Sequence, residues 1–161
     1  MANVKNYRKQ GGEEWVVDGK LTVNGTIIAP KMARKVVSAV IASADAGDAT
    51  ANEETIAVFG QDVTIEKITF VPDTAQAGQD ADTAKLIVRN FGSDNSGDSD
   101  VAEFEQVDEN DLAERTPQEF DLDDAETSIS AGEVLGWRRE KASSGVDQPA
   151  GVVFIEYTVD H

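Results

Sequence analysis

The chain has 161 residues, long enough for one domain with a core of its own and an attached arm. Thirty-one acidic residues against 14 basic ones give a formal charge of -17, which repels phosphates and argues against a nucleic-acid partner. Without a cysteine, and with a single histidine at position 161, disulfides, zinc-thiolate sites and Ser-His-Asp or Cys-His catalysis within the chain are excluded.

No run approaches 18 apolar residues, so no membrane-spanning helix is expected. The opening MANVKNYRKQGG lacks the apolar core of a signal peptide and predicts a product that stays where it is made. Charge divides the chain unevenly. Residues 1–40 hold seven basic and three acidic residues, whereas residues 41–161 hold seven basic and 28 acidic. A basic head on an acidic body suggests two surfaces with different neighbours.

Residues 1–32 are expected to form an extended arm. Trp15-Val16-Val17, Leu21-Thr22-Val23 and Thr26-Ile27-Ile28 are miniature strands broken by Asp18-Gly19-Lys20 and Asn24-Gly25. Asn24-Gly25-Thr26 also fits a glycosylation sequon, but with no secretory signal it reads as a turn. Trp15 needs a surface that so short an arm does not supply, which suggests an anchor. Tyr7, Arg8 and Lys9, just before Gly11-Gly12, read as a tail or as the basic, aromatic tip of an attachment arm.

The body, residues 33–161, follows. Residues 33–42 carry both helical spacing and a concentration of β-branched residues; the latter favours a strand. Further strands are expected at 55–59, 63–71, 83–90, 101–107, 117–122, 128–132, 133–140 and 151–159, joined by glycine- and aspartate-rich loops; KASSGVDQP, before the last strand, reads as a polar loop. In 63–71 the apolar face shifts at Glu66-Lys67, the mark of a bulge. Phe120 and Leu122 should face inward. The last strand reads as central and paired with one distant in sequence. Residues 109–115 have room for a turn or two of helix at most. The pattern predicts an all-β protein, an antiparallel β-sandwich (jelly-roll-like) with an N-terminal β-arm.

Chemistry is sparse. Asp94, Asp98 and Asp100, within DNSGDSD, form the leading candidate calcium loop, but its glycine is fourth rather than sixth and no glutamate follows at the twelfth position; Asp80-Ala81-Asp82 and Asp121 through Asp124 are weaker candidates. No other cofactor is expected. Abundant carboxylates say nothing specific about glycosidase chemistry, which needs a cleft and one raised pKa, so no enzyme is expected. Trp137, alternating with Leu135, reads as a packed core or sheet-edge residue.

The stretch NYRKQGGEEWVVDGKLTVNGTI resembles the opening of head fibre and head decoration proteins of tailed viruses, through Tyr7, Gln10-Gly11, Glu14-Trp15-Val16-Val17 and Gly19 with Leu21-Thr22-Val23. DVTIEKITFVP (62–72), LIVRN (86–90), ISAGEVL (129–135) and PAGVVFIEY (149–157) are similar to segments of β-sandwich proteins encoded near virion structural genes. The heavy acidity of the body departs from that pattern and suggests a host living in salt. The resemblance implies a non-catalytic protein on the outer surface of a bacteriophage-like virion, assembled in the host cytoplasm. It would bind the major capsid protein and form a homo-oligomer, a trimer by preference, with no nucleic-acid or membrane partner. Tyr7, Arg8, Lys9, Trp15, Val17, Leu21, Val23 and Ile27 would then make the capsid or subunit contacts. The alternatives are a tail or fibre component that touches the host surface, and a carbohydrate-binding module. The latter is poorly equipped with two Trp and two Tyr.

Overall fold

β-Branched residues and two-residue alternation become strand throughout the described residues of the computed structural model. It describes residues 6–8, 15–17, 34–45, 53–79, 83–107, 110–141 and 145–160. Two units separate, Met1–Lys31 and Met32–His161.

In the first unit β1 (Asn6–Arg8) pairs antiparallel with β2 (Trp15–Val17), in the register Asn6↔Val17, Tyr7↔Val16 and Arg8↔Trp15. The partner of Trp15–Val17 is therefore the stretch upstream, and Tyr7 and Arg8 are strand residues. The expected strands at 21–23 and 26–28 lie outside the described residues.

The second unit holds β3 (Lys35–Ile41), β4 (Glu54–Val58), β5 (Val63–Pro72), β6 (Ala84–Asn90), β7 (Ser99–Gln106), β8 (Gln118–Glu119), β9 (Asp121–Leu122), β10 (Ser128–Ile129), β11 (Val134–Lys141) and β12 (Gly151–Val159). Among the described residues there is no helix. One sheet runs β10-β5-β12-β3, with β8 also on β5; the other runs β4-β11-β6-β7-β9. All pairings are antiparallel.

The order has a simple origin. β3, β4, β5 and β6 pair in turn with β12, β11, the β8/β10 segment and β7, as the two halves of one long hairpin. Rolling that hairpin adds the β5·β12 and β6·β11 ladders and separates two sheets. That topology is a jelly roll. The last strand is central, between β5 and β3, as its pattern predicts. The bulge is also where the face shift puts it: Glu156 pairs with Lys67 and Tyr157 with Ile65, leaving Glu66 as the extra residue.

The core lies between the sheets. Ile65, Ile68 and Phe70 of β5 and Val153 and Ile155 of β12 meet Leu86 and Val88 of β6 and Leu135 and Trp137 of β11, all buried. Trp137 joins the layers, with its ring 5.1 Å from Phe70 and 5.6 Å from Phe120. It is a core residue.

Two expectations need correction. The strand at 117–122 is split: Gln118–Glu119 belongs to one sheet and Asp121–Leu122 to the other. Phe120 sits at the crossing, where its N–H donates to the carbonyl of Ile68 at 3.0 Å and its ring fills the core. Residues 110–115 form no helix, within the limit expected of them, and Leu112 there is fully buried and bridges Gln76. The stretch KASSGVDQP is no mere polar loop, because Val146 and Gln148 are buried.

Those two residues belong to a buried polar set that closes one end of the roll. The Trp137 indole N–H donates to Gln148 Oε1 at 3.1 Å, and Gln148 Nε2 donates to the Ala42 carbonyl at 2.9 Å. The backbones of Gln148 and Ala44 exchange two further bonds. The Arg139 guanidinium, also buried, donates to the carbonyls of Asp45 and Val146. The segment after β3 is thereby tied to β11 of the opposite sheet.

Candidate functional site

The expected contact residues fall into two groups. Tyr7, Arg8, Trp15 and Val17 lie on one two-stranded ladder, with Arg8 opposite Trp15. That ladder brings an aromatic and a basic position to the same register pair. Lys9, Leu21, Val23 and Ile27 lie outside the described residues. A two-stranded ribbon with three residues a side is marginal alone and gains from a third strand or a covering surface.

In the candidate calcium loop, Asp94 and Asp100 already have partners within the protein. Asp94 Oδ1 accepts from Ser96 Oγ at 2.6 Å and from Ser96 N at 3.1 Å, so the carboxylate caps its own turn. Those bonds, the hydroxyl first, hold its pKa below the usual carboxylate value. Asp100 is on β7 opposite Arg89 and accepts from the Arg89 Nε. That bond, ahead of the attraction of Asp100 and Glu140, raises the Arg89 pKa. Asp94 and Asp100 thus serve different partners, and no group of three or more His, Asp or Glu side chains among the described residues is placed to hold a metal ion.

The outer surface of the second sheet is laced with charge. Lys85 Nζ meets Glu103 at 3.0 Å, and Arg138 meets Glu53 at 2.9 Å and Glu140 at 3.0 Å. The Lys85 pKa rises, through the hydrogen bond to Glu103 foremost. Beside the short β9, a groove of about 280 Å3 is lined by Asp100, Glu103, Asp121 and Asp123 with Ala102 and Leu122. Its polar lining is carboxylate throughout, with no basic group among the lining residues.

The first sheet presents a different exterior. Its register sets up cross-strand rows Val71–Val152–Val40 and Thr69–Phe154–Ser38, followed by Lys67–Glu156–Val36. Two adjacent rows carry no charge, on a chain that is 28% charged. Val40 is 77% exposed, Val36 59% and Phe154 37%. Sequence reasoning missed this patch because alternation says which residues face out, whereas the pairing of distant strands decides which of them become neighbours. Ionic residues border it: Arg34 lies 3.5 Å from Glu156 and 3.8 Å from Glu66, and Lys67 pairs with Glu119.

No protein-family model matches the chain, and no curated protein matches it. Among solved structures, a chain of "Structure of infectious bursal disease virus Gx strain" is similar at a TM-score of 0.34 and 10% identity. The match covers 92% of this chain and 39% of that one, so this chain spans about two fifths of its length. A likeness at that TM-score carries no argument about this chain.

Proposed function

We propose that the chain is a non-catalytic virion protein that coats the outer surface of a capsid and attaches to it through residues 1–32. The observation that carries this reading is that one chain combines a small basic β-unit with a strongly acidic jelly roll. Jelly rolls serve in capsids and lectins alike, so the fold by itself does not choose between them. The choice rests on the resemblance of residues 6–27 to head decoration proteins and on the charge division.

In this reading the β1–β2 ribbon adds to a sheet of the major capsid protein, where strand pairing satisfies its backbone groups and Trp15 supplies an apolar anchor. Arg8 and Lys9 meet an acidic capsid surface and raise encounter rate and orientation more than affinity. The acidic body faces water.

Co-sedimentation with shells stripped of this protein tests the proposal. The full chain should bind to saturation. A chain shortened by residues 1–30 should keep its β-rich circular dichroism and lose binding. Full decoration by the shortened chain would move the docking surface to the jelly roll and refute the attachment role.

A further inference from the structure

The four sheet edges are treated differently. One edge of the first sheet is divided between β8 and β10, two residues each. In the second sheet, β9 has two residues, and β4 is bulged where Leu135 pairs with Ala57 and Gly136 with Thr55. Short and bulged edges are poor templates for another strand. β3 is the exception: seven residues in unbroken register with β12, and among the described residues it pairs on that side alone. It contains no proline and, between Lys35 and Ile41, no charge.

We infer that β3 is a self-recognition edge, which pairs antiparallel with β3 of a second copy about a two-fold axis at Ser38. The sequence of the strand is self-complementary in that register. Ser38 faces its own counterpart, and Val36 of one copy faces Val40 of the other, twice. Both valines lie on the exposed outer face, so each copy covers the other's apolar positions. The uncharged rows beside them, with Phe154 next to Ser38, extend the same surface across the joint.

Charge favours this orientation. Arg34 and Lys35 stand at the start of β3, and Asp45 follows its end. Glu53 and Glu54 belong to the same end, because Glu54 pairs with Trp137 and the Trp137–Gln148 bonds reach Ala42. Antiparallel pairing sets the basic start of one strand toward the acidic end of the other; parallel pairing sets like against like. An isologous contact of this kind closes at two copies and leaves no free β3 edge. It stands whether or not the chain coats a capsid, and it is separate from any trimer formed through the arms.

Because each copy carries -17, association should strengthen with salt as the screening length falls from about 10 Å at 0.1 M to about 3 Å at 1 M. Sedimentation of the full chain at both salts should show association that Val36→Lys/Val40→Lys abolishes, since lysines then oppose lysines. Val36→Lys/Val40→Glu should restore it, because the register sets the introduced lysine of each copy against the introduced glutamate of the other. Ser38→Cys gives a second reading in a chain that has no cysteine of its own. Directly opposed antiparallel Cα atoms lie about 4.5–5.5 Å apart, within disulfide reach. Mild oxidation should cross-link Ser38→Cys far faster than Ser128→Cys on the opposite edge. Association that survives the double lysine variant, equal cross-linking at the two positions, or a wild-type monomer at both salts would overturn the inference.

Discussion

Replacing Gln148 by leucine probes the closed end of the roll. The two side chains are similar in size, so the change removes polarity and leaves packing nearly intact. Gln148 is 1% exposed and Trp137 is fully buried. The leucine strands the indole N–H, whose partner at 3.1 Å disappears, and removes the donor to the Ala42 carbonyl. A buried donor left unsatisfied costs about 1–3 kcal/mol. Ala42 is exposed, so water can replace the lost donor there and the cost is smaller. The total should be about 3 kcal/mol. With a urea slope of about 2 kcal/mol per molar, the midpoint falls by roughly 1.5 M. Trp137→Phe completes a double-mutant cycle: with no indole N–H to strand, Gln148→Leu should cost about 1–2 kcal/mol less in that background. Urea unfolding followed by circular dichroism measures all four chains. A midpoint shift for Gln148→Leu below about 0.3 M, or strict additivity, would refute the claim that this bond holds the end of the sandwich together.

Gly151→Ala should destabilise by about 1–3 kcal/mol in the same assay, because a Cβ there would lie 2.4 Å from the Val71 carbonyl oxygen and 2.7 Å from the Phe70 ring. Phe120→Ala, which empties the crossing between the sheets and removes the contact with Trp137, should cost about 3–5 kcal/mol. Asp94 has a folded-state pKa below its unfolded value, so its capping contribution is present above the unfolded value and is lost as pH falls through the folded one. Ser96→Ala should raise the Asp94 titration midpoint, read by NMR, toward the unperturbed value of about 3.9. Lys85 has the opposite sign: its raised pKa contributes stability below the unfolded value of about 10.4, lost as pH rises through the folded one. Glu103→Gln should therefore flatten the alkaline limb of the stability curve.

What local pattern governs was legible in the sequence, and what distant pairing governs was not. The bulge at Glu66 showed itself because an extra residue shifts which face carries the apolar side chains. Residues 151–159 read as a central strand because Val153, Ile155 and Tyr157 demand burial on one face while Val152 and Phe154 add apolar residues on the other. The break at Phe120 was hidden: alternation continues through it, and only the capture of each half by a different sheet separates Gln118–Glu119 from Asp121–Leu122. Val146, Gln148 and Leu112 sit among polar neighbours, and each is buried by residues far away in sequence. The same holds for the outer rows, since Val40 gains Val152 as its neighbour only when the ends of the long hairpin meet. For the contact residues, the Arg8–Trp15 pairing became visible only with the ladder, because three-residue strands carry too little alternation to name their partners.

Copy number in the particle tests the central claim most directly. Density-purified virus particles from the culture that makes this chain can be digested and the chain quantified by mass spectrometry against the major capsid protein. A coat protein repeats with the symmetry of the shell, so the account predicts a fixed ratio to the capsid protein and copies on the order of hundreds per particle. Absence from purified particles, or a handful of copies that track the tail, would contradict it.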